Sequence, residues 1–243
     1  MKIIKLNAID STSSFLKELS KNSALENFTV VVTKEQTKGR GQQSNSWTSE
    51  PHKNLTISIF LKDLNLQITN QKYLNFAISL AVFDTLFNQN IKHLSIKWPN
   101  DILAANKKIC GILIENNIKG NLISSTIVGL GLNVNQINFP NSLKNATSLK
   151  SITSKEYDLE ILLTNLLEKV TEKIQLVTLK KYAVLENEYL KVLYKKNIPT
   201  MFKDSLDVLF MGKIIGISSI GKLQIELDDE TIKEFGIKEV SLA

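Results

Sequence analysis

Arginine is almost absent from this sequence. Of the 30 lysine and arginine residues in 243, Arg40 is the only arginine, so a chain that uses lysine for every other positive charge makes one exception. Cysteine occurs once, at Cys110, which excludes an intrachain disulfide. The two histidines, His52 and His93, lie far from that thiol and show no zinc-ligand spacing, so no protein-held metal is expected. No apolar run approaches the ~20 residues that span a bilayer, and Met1-Lys2-Ile3-Ile4-Lys5 soon passes into polar residues instead of a signal-peptide core. The expectation is a soluble cytoplasmic chain with no membrane partner. Gly-x-Ser-x-Gly elbows and Walker lysines are also lacking, which sets aside serine-hydrolase and P-loop chemistry.

What is present is ordinary globular material. Apolar residues make up 43% and charged residues 22%, enough for one sizeable core and a small second one. The net charge of +6 and pI near 9.2 would suit an anionic partner. The lysines, however, are interleaved with acids through every predicted element, the pattern of a solvated surface, and no nucleic-acid partner is expected. Cys110 falls in an apolar strand and reads as a buried, inert thiol. His93 reads as a helix or loop residue.

Periodicity places the elements. A strand over 2–6 leads to Asp10-Ser11-Thr12, small polar residues that open an amphipathic helix carrying Phe15, Leu16 and Leu19. A buried strand follows over 28–33. Between 34 and 51 apolar periodicity vanishes and the chain reads as a long loop around Trp47, a length that in compact domains often marks function. Strands are predicted over 55–61, 94–98, 102–104, 109–115 and 122–132, and helices from Asn70, over 158–176 and over about 179–194. From Pro199 the chain changes to short alternating strands broken by Gly212, Gly216, Gly221 and Asp228-Asp229, which reads as a small β-barrel packed directly on the larger domain. The boundary falls between 1–196 and 197–243.

Three segments carry chemistry. In Gln36-Thr37-Lys38-Gly39-Arg40-Gly41-Gln42-Gln43, two glycines let the backbone approach a ligand while the guanidinium offers a planar fork to a carboxylate or phosphate. Gly-Arg-Gly could also form a plain surface turn, but lysine would serve there equally well. In Lys97-Trp98-Pro99-Asn100-Asp101, a fixed φ at Pro99 restrains Trp98 and holds Lys97 at a strand end. A tight turn would account for Asn100 and Asp101 alone, and accounts poorly for all five. In Gly129-Leu130-Gly131-Leu132-Asn133, alternate glycines lie on one side of a strand and leave room for a flat ligand, and Asn133 adds an amide.

Taken in order, Asp10-Ser11-Thr12, Gln36 through Gly41 with Trp47, Lys97 through Asp101, Gly111-Ile112-Leu113-Ile114-Glu115 and Gly129 through Asn133 resemble the biotin–protein ligases. The resemblance reaches Phe235 and Glu239-Val240-Ser241-Leu242, which look like that family's SH3-like C-terminal domain. It implies an α+β fold, a mixed β-sheet catalytic domain flanked by helices in the manner of class II synthetases, with a small SH3-like barrel. The implied reaction joins biotin to ATP, with magnesium, as biotinyl-adenylate, then passes the acyl group to a lysine of a biotin carboxyl carrier protein. Ser11, Thr12, Ser13 and Gln36 would hold the ring end of biotin with the backbone near Gly111 and Leu113. Gly39, Arg40, Gly41 and Gln42 would meet its carboxylate and the phosphate, and Lys97 would stabilise charge at the acyl phosphate. Arg40, Trp47, Lys97, Asn100 and Asn133 would serve the nucleotide.

Two departures from the family pattern stand out. Further basic residues and a glycine usually follow Gly-Arg-Gly, whereas Gln42, Gln43, Ser44, Asn45 and Ser46 are neutral, which implies a looser hold on the adenylate. The Asp10-Ser11-Thr12 segment comes almost at the start, so the DNA-binding domain that some members carry is not expected. The enzymatic rival is a lipoate or octanoate ligase or transferase of similar fold, whose acids give Ser11, Thr12 and Gln36 little to pair with. Outside enzymes, the alternatives are a nucleic-acid-binding module, which would need clustered cations among exposed aromatics, and a biotin binder that does not ligate. A monomer and a homodimer are equally compatible with the sequence.

Overall fold

The computed structural model describes residues 1–42 and 45–243. Gln43 and Ser44, part of the neutral run, lie outside the described residues. The elements in chain order are β1 (Lys2–Ile9), α1 (Thr12–Asn22), β2 (Thr29–Gln36), β3 (Gly39–Arg40), β4 (Ser46–Trp47), β5 (Leu55–Gln67), α2 (Gln71–Asn88), β6 (Leu94–Lys97), β7 (Asp101–Ala104), β8 (Lys107–Lys119), β9 (Leu122–Leu132), α3 (Leu149–Thr153), α4 (Leu159–Thr178), α5 (Tyr182–Lys191), β10 (Pro199–Asp204), β11 (Leu209–Ile217), β12 (Leu223–Leu227), β13 (Ile232–Phe235) and β14 (Val240–Leu242).

Seven strands form one mixed sheet in the order β1-β2-β5-β9-β8-β7-β6. Only β1 and β2 are parallel within it, with α1 as the crossover between them. The alternation of side chains along each strand separates two cores. Val30, Ile57, Ile59 and Val128 face α2 and α4, whose Leu74, Ile78, Leu163, Leu166 and Val170 complete the larger core. On the other face Val31, Phe60 and Ile127 pack with Leu16 of α1. Ser11 caps α1 by accepting a hydrogen bond from the Ser14 amide, and Asp158 caps α4 through the amides of Glu160 and Ile161, which satisfies donors that the first helical turn leaves free.

The C-terminal strands make a separate five-stranded antiparallel sheet, ordered β13-β12-β11-β10-β14. Its turn between β11 and β12 docks on the larger unit. Lys72 of α2, almost buried, donates to the Ser218 carbonyl at 3.1 Å and to Glu186 of α5 at 2.9 Å, and the Trp98 indole N–H donates to the Gly221 carbonyl at 3.1 Å.

Several boundaries differ from those expected. The strands at 55–61 and 109–115 run on as β5 and β8, because both continuations pair with β9, that of β5 resuming at Leu66 after a bulge. The stretch read as one long loop holds the β3–β4 hairpin, with Gly39 opposite Trp47 and Arg40 opposite Ser46. α4 extends through Thr178, so the following helix is shorter than 179–194.

Candidate active site

The α1 face of the sheet is hollowed by its own sequence. Across β5, β9 and β8, one row of that face reads Phe60, Ile127, Glu115; the next reads Ser58, Gly129, Leu113; the third reads Thr56, Gly131, Gly111. Side-chain bulk falls from row to row, and over the small residues lies a cavity of about 450 Å³, within the range of small-molecule sites. Ser11, Thr12, Ser13, Gln36, Arg40, Gly41, Gln42, Trp47, Lys97, Asn100, Gly111 and Leu113 all line it. Gly129 and Gly131 line it as well, so the structure brings together residues drawn from five separate segments.

One end of the cavity is a chain of hydroxyls. Thr12 donates both its amide, at 2.9 Å, and its hydroxyl, at 3.2 Å, to Gln36 Oε1. With the Thr12 proton committed there, Ser58 donates to Thr12 at 2.8 Å and Ser13 donates to Ser58 at 2.9 Å. All three hydroxyl residues are buried. The relay leaves the Ser13 lone pairs and the Gln36 amide N–H groups as the groups available to a polar ligand ring.

Positive charge gathers elsewhere on the rim. Arg40 leaves the β3–β4 hairpin, which is closed by a 2.7 Å hydrogen bond from the Gly41 amide to the Asn45 carbonyl. Its guanidinium forks onto Glu115, Nη2 to Oε2 at 2.5 Å and Nη1 to Oε1 at 3.2 Å. Lys97 ends β6 exposed and makes no ion pair among the described residues. Asn100 lines the cavity, yet its amide donates to the Ile112 carbonyl and so ties the start of β7 to β8.

The flat group against the glycines is the chain's own indole. A Cβ built on Gly131 would lie 2.2 Å from Trp47 Cε2, and one on Gly111 would lie 2.9 Å from Cζ3. Trp47 Nε1 is buried without a partner among the described residues, a donor left for something to accept. Lys108 stands 5.7 Å from the indole centroid and pairs with Asp101 at 2.6 Å.

Two expected site residues lie apart from the main cavity. Gly39 is not in its lining; a Cβ there would meet the Trp47 carbonyl at 2.1 Å and Gln36 Nε2 at 2.5 Å, so this glycine is required by the hairpin's own close packing. Asn133 also lies outside the lining, buried, donating to the Thr147 carbonyl at 3.0 Å, while its Oδ1 has no partner among the described residues. Cys110 is fully buried, and burial pushes its thiol up and away from reactivity.

Besides Ser58 of the relay and Glu115 on Arg40, sequence reasoning missed the Lys108–Asp101 pair and the far wall. Lys108 and Asp101 meet because β7 and β8 pair with a register shift, and a lysine among 29 carries no flag. The far wall is C-terminal: Phe202, Ile214, Leu223 and the 237–242 segment line the cavity. The only signal for that wall was the motif at its end.

Comparison with known proteins gives the class. A model described as the Biotin/lipoate A/B protein ligase family matches residues 6–133, more than half of the chain, and the chain belongs to that family. Within it, the chain is 33% identical over 246 residues to the bifunctional ligase/repressor BirA of Bacillus spizizenii, covering 98% of this chain and 71% of that one. It is 27% identical over 149 residues to the biotin--[acetyl-CoA-carboxylase] ligase of Mycobacterium tuberculosis, covering 60% and 53%. The solved structure of biotin protein ligase from Aquifex aeolicus in complex with biotin and ATP aligns with a TM-score of 0.82 at 29% identity, over 100% of this chain and 98% of that chain.

Proposed function

We propose that this chain activates biotin with ATP and transfers the biotinyl group to a lysine of a biotin carboxyl carrier protein. The observation that carries the reading is the arrangement of one cavity, with a buried hydroxyl and amide relay at Thr12, Ser13, Ser58 and Gln36 and exposed cations Arg40 and Lys97 on its rim. An acid whose far end is a polar ureido ring uses both features.

In the first step a biotin carboxylate oxygen attacks the α-phosphorus of ATP and the bond to the β-phosphate breaks, releasing pyrophosphate. Both reactants are anions, so the catalytic need is charge neutralisation and alignment more than proton transfer. Arg40 and Lys97 supply the charge; the relay and the glycine floor fix the acid's position. In the second step the neutral amine of the acceptor lysine attacks the acyl carbon, AMP leaves, and the amide nitrogen gives up a proton. Magnesium would enter with the nucleotide as part of that substrate. Trp47 is assigned to the nucleotide side, and Asn100 and Asn133, whose amides are held by the Ile112 and Thr147 carbonyls, serve that side by supporting the strands around it. Gly39 supports Arg40 through the hairpin.

The larger unit, 1–196, is read as the class II synthetase-like catalytic domain and 197–243 as an SH3-like barrel whose inner wall closes the cavity. The reaction is assigned to the cytoplasm, where ATP and a carrier domain are both at hand. No helix among the described residues is long and apolar enough to cross a membrane.

The test is incubation with labelled biotin, ATP, magnesium and a purified carrier domain. Label on the carrier is the expected result. Acceptance of lipoate or octanoate in place of biotin would overturn the assignment, and biotin binding without adenylate formation would reduce the chain to a binder.

A further inference from the structure

We propose that Glu115 is a positioning residue that sets the site's affinity for its acid by competing with that acid for Arg40. The inference rests on the biotin reading above. Arg40 lines two hollows: the main cavity, and a recess formed by Gly39, Gly41, Asn45, Ser46, Leu113 and Glu115. Its guanidinium points to the recess side, where both terminal nitrogens are taken by the two Glu115 oxygens. That is the planar two-point pairing a free carboxylate would make with the same group.

Glu115 is placed for this by the sheet. It lies two residues beyond Leu113 on β8, and so on the same face as the cavity floor, one row past its edge. A substrate carboxylate approaching Arg40 from the main cavity must draw the end-on pair of nitrogens away from Glu115. The chain also holds a replacement partner. Lys17 of α1 stands 3.5 Å from Glu115 Oε1, so the carboxylate keeps a counter-charge when Arg40 turns. The exchange is one ion pair for another on a partly exposed rim, where each pair is weak; the competition is therefore worth a factor of about 2–5 in affinity rather than orders of magnitude.

The decisive variants are Glu115→Gln and Lys17→Met in the full chain, with biotin Kd from titration calorimetry and kcat and KM from biotin-dependent pyrophosphate exchange. Glu115→Gln keeps the shape and removes the charge. It is expected to lower Kd and KM for biotin about 2–5-fold, with kcat moving less than KM. Lys17→Met takes away the replacement partner and is expected to shift Kd the opposite way. In an Arg40→Lys background the Glu115→Gln effect on Kd should disappear. A purely structural Glu115 would weaken binding on substitution, so an unchanged or raised Kd in Glu115→Gln overturns the inference while biotin binding by the unaltered protein leaves the functional reading standing. Absence of biotin binding by the unaltered protein overturns both.

Discussion

At the scale of single residues, the chemistry turns on the difference between a guanidinium and an ammonium. Arg40 engages both oxygens of one carboxylate at once, which fixes orientation as well as charge, whereas a lysine would offer a point charge on a flexible stem. We therefore expect Arg40→Lys to cut kcat/KM for biotinyl-adenylate formation on the order of 100-fold, comparable to loss of one preorganised electrostatic contact, measured by pyrophosphate exchange. Activity within a few-fold of the parent would show that position 40 needs only charge. Arg40 was readable because it is unique in the composition. Its partner Glu115 was not, because the pairing depends on where β8 stands in the sheet. Asn100 shows the converse: its place in a motif suggested ligand contact, while burial commits its amide to the Ile112 carbonyl.

At the scale of elements, the two glycines Gly111 and Gly131 face each other across β8 and β9 and together make a floor for Trp47. Both φ values are ordinary for strands; what requires glycine is space. In Gly131→Ala the new methyl would lie 2.2 Å from an indole carbon, on backbone paired on both sides, so the indole must yield. We expect a stability loss of about 1–3 kcal/mol from overpacking and a shift in tryptophan emission as Trp47 leaves its buried place. Biotin affinity should fall roughly tenfold with the lost wall. Unchanged emission and affinity would mean that the floor accommodates a methyl and that space does not select glycine there. The alternation of glycines was legible in the sequence, and so was the room above them for something flat. The occupant was not legible, because Trp47 sits in a stretch without periodicity, and only the pairing of β3 with β4 turns the indole inward. The continuations of β5 and β8 escaped for two reasons: Asn117 and Lys119 of β8 are exposed while their backbones still pair with β9, and β5 reaches its buried Leu64 and Leu66 only past a bulge between Lys62 and Leu66 that interrupts the pairing.

At the scale of the whole molecule, the change of pattern at Pro199 marked the second sheet correctly, but nothing local said where that sheet would dock. The dock lies beside the Lys97 turn and is held by Trp98 on Gly221 and by Lys72 on Ser218, with Glu186 of α5 pairing the same ammonium from the larger unit. The same cluster gives stability an alkaline limit. Tyr73 donates to Glu186 at 3.2 Å, and burial, followed by the nearby Glu186 charge, raises its hydroxyl from 10.0 to about 12. Lys173 is also raised: burial pulls it down, but hydrogen bonds to Glu188 and Asp84 outweigh that.

A group whose folded value lies above its unfolded one contributes stability that is complete below the unfolded value and is lost as pH rises through the folded one. Both groups thus act in one direction and in one window, leaving the neutral range flat. The urea midpoint should hold steady from pH 7 to about 9.5 and fall between about pH 10 and 12. Tyr73→Phe removes one titration together with a hydrogen bond, so its midpoint should start lower and decline less steeply through that window. A parent midpoint that stays level to pH 11.5, or a Tyr73→Phe curve of equal slope, would show that the α2–α5 contact under the C-terminal sheet does not limit alkaline stability.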